Sequence, residues 1–135
     1  MMPAKILVDT SAWVAFLKPG ESPVDTQIKA LIDQESIVIT DVIIAEITYG
    51  ARDHHQLKKY IQKFSAIPLV NFDPRTLKLF CEFRFKLKSK GVVTSFTDAL
   101  IAWIAICNNL MLFTLDKDFM HIAKHSTLGL LQRSS

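Results

Sequence analysis

The chain has 135 residues, half of them hydrophobic, with a formal charge of +3. That size and composition suit one domain, residues 1–135, with a substantial core. No composition shift, repeat or low-complexity stretch argues for a second domain. The longest apolar run, Ala99 to Cys107, is far short of the roughly 20 residues of a membrane span. The N-terminus lacks a signal-peptide pattern, so the expectation is a cytoplasmic protein with no membrane partner. Cys81 and Cys107 are the only cysteines. Both sit in apolar, helix-like surroundings without CxxC spacing, and the expectation is two buried, reduced thiols.

Lys5–Asp9 reads as a short apolar strand, followed by a helix to Leu17 capped by Thr10 or Ser11. After a loop, Val24–Gln34 reads as an amphipathic helix with Ile28, Leu31 and Ile32 inward. Ile37–Ile39 is a second strand. Thr40 or Asp41 caps a helix ending near Gly50, and His54–Ser65 is another, with Leu57, Tyr60, Ile61 and Phe64 inward. Ile67–Val70 is a third strand. Asp73-Pro74 opens a long helix to Ser89, because proline favours the first turn. Ser95 or Thr97 caps the next helix, to Asn108. Leu110–Thr114 is a fourth strand, Lys117–Lys124 a helix, and Leu128–Leu131 a last strand. Short apolar strands alternating with helices indicate an α/β fold: a mainly parallel sheet covered on both faces.

Ligands in such sheets gather at the carboxyl ends of the strands. Asp9 ends the first strand, and Asp116 follows the fourth by about two residues. Asp98 opens a helix that is apolar all round, so its start is expected to lie deep. Glu46 breaks the apolar run Val42 to Ile47 and falls on a helix face shared with Val42, Ile43 and Ile47. Taken singly, the three aspartates also fit capping or turn positions. Glu46 does not, and an inward carboxylate needs a counter-charge.

Together the four define an anionic pocket, with Asp118 at its rim and Thr10, Ser11 and Thr114 as orienting hydroxyls. Such a cluster either takes up protons or binds a cation. Oxygen ligands with few histidines select Mg²⁺ or Mn²⁺ over zinc. His121 and His125 lack an HExxH glutamate and are not read as zinc ligands. An ion so held supports phosphodiester hydrolysis. Six basic residues between Arg75 and Lys90, against only Glu82, suit a polyanionic partner. A phosphatase of the haloacid dehalogenase type would need an acid two residues after Asp9, where Ser11 stands. A non-enzymatic RNA- or protein-binding module is the other alternative.

The segments VDTSAW, TDVIIAEITYG, TSFTDALIAWIA and LFTLDKDF occur in that order. The sequence resembles the PIN-domain ribonucleases, and in particular the VapC-type toxins of toxin–antitoxin pairs, over nearly its whole length. The resemblance places the family's acidic tetrad on Asp9, Glu46, Asp98 and Asp116. It places small hydroxyl residues on Thr10 or Ser11 and on Thr114. It implies an α/β/α sandwich, a homodimer, a cognate antitoxin and an RNA substrate. Metal-dependent cleavage would leave 5′-phosphate and 3′-hydroxyl ends. Asp9, Asp98 and Asp116 would hold the Mg²⁺ or Mn²⁺, and Glu46 would ligate or deprotonate water. Arg75, Arg84 and Lys86 would hold the RNA backbone.

Overall fold

A computed structural model describes residues 5–18, 20 and 22–133. Strand β1 (Ile6–Val8) is buried throughout. It runs into α1 (Thr10–Leu17), whose cap is Asp9 rather than Thr10 or Ser11. The Asp9 carboxylate accepts the Ala12 amide at 3.0 Å, satisfying one of the orphan donors of the first turn. Helix α2 (Pro23–Asp33) begins one residue earlier than expected, with Ser22 as cap and Pro23 in the first turn.

Next come β2 (Ile37–Val38) and α3 (Asp41–Tyr49), the latter capped by Thr40. Helix α4 (His54–Ser65) has the expected bounds. A 3-10 turn, Pro74–Thr76, precedes α5 (Leu77–Ser89), so the long helix is split near its start. Helix α6 (Phe96–Cys107) is capped by Ser95. Strand β3 (Met111–Phe113), α7 (Asp118–Lys124) and β4 (Gly129–Leu130) complete the order.

The four strands form one parallel sheet in the order β2-β1-β3-β4. The chain steps from β1 to one side, then crosses to the other. The β1/β3 boundary is therefore a topological switch point, where the connections diverge and leave a crevice at the carboxyl ends. Helices α1 to α4 pack among themselves, as do α5 to α7. The α/β fold class expected from the sequence is borne out.

The expected Ile67–Val70 strand contributes only one bridge, Ile39 to Leu69. The Pro68 carbonyl accepts from the Ile39 amide and the Val70 amide donates to the Ile39 carbonyl. Pro68 has no N–H to extend the ladder.

The core surrounds β1 and β3 and includes the fully buried Trp13, packed edge-on against Phe16 and Phe64. Four inward assignments fail. Ile32 and Ile61 are exposed, and so are both free cysteines. Ile32 and Cys81 line open cavities rather than the core. Among the described residues, no helix is long and apolar enough to cross a membrane.

The connection from α5 to α6 matters for the site. Gly91 has φ +80°, and the Gly91 and Val92 amides donate to the Lys88 and Leu87 carbonyls. This is a Schellman ending, with Val92 and Leu87 both buried. It fixes the path into Ser95 and α6.

Candidate active site

Asp9 leaves β1 at the switch point and is only 3% exposed. Its Oδ1 accepts from the Ser11 hydroxyl at 2.7 Å as well as from the Ala12 amide. Its Oδ2 accepts from the Thr114 hydroxyl at 2.6 Å. Burial pushes the Asp9 carboxyl above its usual range; these hydrogen bonds oppose the shift and the Asp116 charge adds to it.

The bonds continue across the sheet. The Leu115 amide donates to Ser11 Oγ at 3.0 Å, and the Asp116 amide to Thr114 Oγ1 at 3.0 Å. The Asp118 amide then donates to Asp116 Oδ1 at 2.9 Å. The end of β1 is thereby laced to the segment that follows β3. Ser11 spends its hydroxyl on this lacing, so the position two residues after Asp9 offers no acid for a phosphatase.

Asp98 lies in the first turn of α6, where its amide donates to the capping Ser95 hydroxyl at 3.1 Å. Its carboxyl is pushed up to about 6, first by burial and then by the Asp116 charge. The charges of Asp118 and Glu46 add to this, while hydrogen bonding with Ser95 opposes it. Carboxylate oxygens of Asp98, Asp116 and Asp118 all lie within 4.8 Å of one another. Among the described residues, the ion pairs are Arg52–Asp53 and Arg75–Asp73; none involves this cluster.

Glu46 is not where periodicity put it. Ile43 and Ile47 of α3 are buried, but Glu46 is exposed. Its Oε1 accepts from the Thr10 hydroxyl at 2.6 Å, which ties α3 to the start of α1. Its charge bears on Asp98. Glu46 thus stands at the mouth of the site, not under the core. Asp118 moves the other way, from rim candidate to member of the closest trio. The signal was the spacing Asp116-Lys117-Asp118, a turn in which one aspartate caps the next.

The donor set fits a hard divalent cation: three clustered carboxylates, two more coupled by charge, and no ion-paired Lys or Arg. Neither His121 of α7 nor His125, which ends that helix, joins it.

The basic residues separate. Arg75 is paired with Asp73 through Nη2 to Oδ2 at 2.9 Å and Nε to Oδ1 at 3.1 Å, so its charge is locally spent. Arg84 lies over the Phe96 ring at 5.2 Å, two residues from Asp98. Lys86 is exposed and lines neither cavity beside the site. Lys88 and Lys90, members of the same basic stripe, line these cavities.

A family model for the PIN domain matches residues 6–125. The chain belongs to the PIN domain family. Among similar proteins, the VapC ribonuclease Mb1587 of Mycobacterium bovis is 28% identical over 127 residues, which cover 91% of this chain and 95% of the relative. The Rickettsia felis protein named Ribonuclease VapC2 is 25% identical over 121 residues, covering 86% and 90%.

Two solved structures share this PIN fold. One is VapBC2 of Rickettsia felis bound to a DNA fragment from its promoter, with TM-score 0.77 and 22% identity. The match covers 93% of this chain and 96% of that one. The other is VapBC-5 of Mycobacterium tuberculosis, a member of the VapBC family of toxin-antitoxin systems. Its TM-score is 0.70 at 20% identity, covering 96% and 99%. In this PIN fold the start of α6 and the segment after β3 bring the carboxylates of Asp98, Asp116 and Asp118 together beside the end of β1.

Proposed function

We propose that this protein is a Mg²⁺- or Mn²⁺-dependent endoribonuclease, the toxin of a toxin–antitoxin pair, built on a single PIN domain spanning the chain. The observation that carries the reading is the Asp98, Asp116 and Asp118 cluster. Among the described residues no Lys or Arg forms an ion pair with it, and its mutual repulsion helps raise the Asp98 carboxyl to about 6. The relatives named as VapC ribonucleases supply the substrate class. The VapBC structures point to a cognate antitoxin partner. A homodimer is the further expectation, resting on the resemblance alone.

Asp98 and Asp116 would hold the ion, with Asp118 beside them, while Asp9 fixes Asp116 through Thr114. The bound cation supplies charge neutralisation at the phosphate and its departing oxygen and makes a water more acidic. Glu46, oriented by Thr10 at the mouth, takes the proton from the attacking water. The 3′-oxygen leaves, giving 5′-phosphate and 3′-hydroxyl ends.

Analysis of product ends tests this. Purified protein incubated with end-labelled structured RNAs is expected to make discrete internal cuts in Mn²⁺ or Mg²⁺ and none in EDTA. The downstream fragments should be ligatable through a 5′-phosphate. Release of terminal phosphate without internal cuts would point to a phosphatase. RNA retention without any cutting across a broad panel would leave a binding module.

A further inference from the structure

Beside the carboxylates lies a cavity of about 510 Å³ between α5 and the entry to α6. Its lining includes Phe80, Phe85 and Phe96 with Arg84 and Lys88, and no carboxylate. Two of the rings are uncovered, Phe96 at 56% and Phe85 at 70%, while Phe80 is buried beneath them at 3%. The Arg84 guanidinium carbon stands 5.2 Å from the centre of the Phe96 ring. Phe96 is in turn set by an edge contact with Phe80, at 6.0 Å.

A second cavity, of about 330 Å³, adjoins across Val92 and Val93. Lys90, His121 and Asp118 line it. One furrow therefore runs from the exposed aromatics, over the Val92–Val93 ridge, to a member of the acidic trio. Phe96 is only two residues before Asp98.

From this juxtaposition we propose that the Arg84–Phe96 stack is a nucleobase platform for single-stranded RNA, holding a base beside the scissile phosphate while Lys88 and Lys90 follow the backbone. The proposal rests on the ribonuclease reading and adds the strand's path to it. Bases in single-stranded RNA stack on aromatic rings and on arginine planes, and the backbone needs cations spaced along it. Both requirements meet here. The furrow is cationic except where it reaches the metal-ligand candidates. Its first cavity is large enough for a nucleotide-sized group.

The platform needs a plane as well as a charge, and that makes it testable. Binding of a fluorescent single-stranded RNA is measured by anisotropy in EDTA, so that no cleavage is required. Arg84→Lys keeps the charge and removes the plane; its affinity should fall about fivefold or more, with an unchanged salt dependence. Phe96→Leu should fall about tenfold and Phe96→Tyr should recover to within about twofold, as expected for base stacking. Lys88→Gln should instead lower the slope of log affinity against log salt by about 0.7.

Arg84→Lys indistinguishable from wild type overturns the platform, and does so without touching the ribonuclease reading if the wild type still cuts RNA. A wild type that neither binds nor cuts RNA overturns both. A dimer that becomes monomeric in Phe96→Leu, with RNA affinity unchanged, assigns the face to a second copy and also overturns it. Arg84 is a surface residue, so its variant answers even if Phe96→Leu folds poorly.

Discussion

Asp98→Asn should inactivate the protein and at the same time stabilise its metal-free form. The two effects share a cause. Burial and the neighbouring charges of Asp116, Asp118 and Glu46 raise the Asp98 carboxyl from 3.8 to about 6. The folded state therefore binds the Asp98 proton more tightly than the unfolded chain does. Below pH 3.8 the group is protonated in both states and costs nothing. Between 3.8 and 6 the unfolded chain loses its proton first, so stability falls as pH rises. Above 6 the full cost is present.

A shift of this size corresponds to at most about 3 kcal/mol. Asp98 is partly solvated, and screening reduces the expected cost to roughly 1–2 kcal/mol. Asparagine removes it. Urea denaturation in EDTA should show Asp98→Asn more stable than wild type by about that amount at pH 7.5. Near pH 4 the two should coincide. The same substitution removes a ligand charge, and cleavage should fall by about 10³-fold or more, about 4 kcal/mol of transition-state stabilisation. A variant that is less stable than wild type at both pH values would mean that Asp98 is a structural cap rather than a strained ligand.

Asp9 should behave in the opposite way. Its carboxylate caps α1 and accepts from Ser11 and Thr114, so it holds the ends of β1 and β3 together. Asp9→Ala removes the cap and leaves three donors to find new partners in a buried site. The expected loss is about 2–4 kcal/mol of folding stability. Asp9→Asn keeps an acceptor for Ala12 and Ser11 and drops a buried charge. It should therefore lie within about 1 kcal/mol of wild type. Both variants should lose cleavage, because Asp116 is placed through Thr114. Denaturant curves for the pair decide the matter: Asp9→Ala as stable as Asp9→Asn would show that the lacing across the strand ends does not hold the fold.

These contrasts mark what the sequence could and could not convey. The order of strands and helices was legible because each short apolar run is bounded by a cap or a turn, as at Thr40, Asp53 and Ser95. The Ile67–Val70 segment was misread because its apolar pattern is strand-like while Pro68 lacks the donor a ladder requires. For Glu46, helical spacing gave the correct neighbours, Ile43 and Ile47, but not the edge of what covers them. Glu46 lies between Val42 and Ile43 in angle, about 60° from Ile43, but at its level on α3 it meets the Thr10 hydroxyl at the start of α1 and not the core. The exposure of Cys81 has a related origin. Its helix is rich in apolar residues that line an open furrow rather than a core. No periodicity distinguishes those two destinations. Asp118 was underrated because its place depends on a turn that closes only once Asp116 is held by Thr114.

The central claim is that the carboxylates at the strand ends are a metal-dependent ribonuclease centre. Its most direct test is the cleavage rate of one structured RNA, titrated with Mn²⁺, for wild type and Asp116→Asn. The account predicts a rate that is negligible in EDTA, rises and saturates with Mn²⁺ for wild type, and stays near background for the variant at every concentration. Equal rates for the two proteins, or wild-type cleavage that persists unchanged in EDTA, would contradict it.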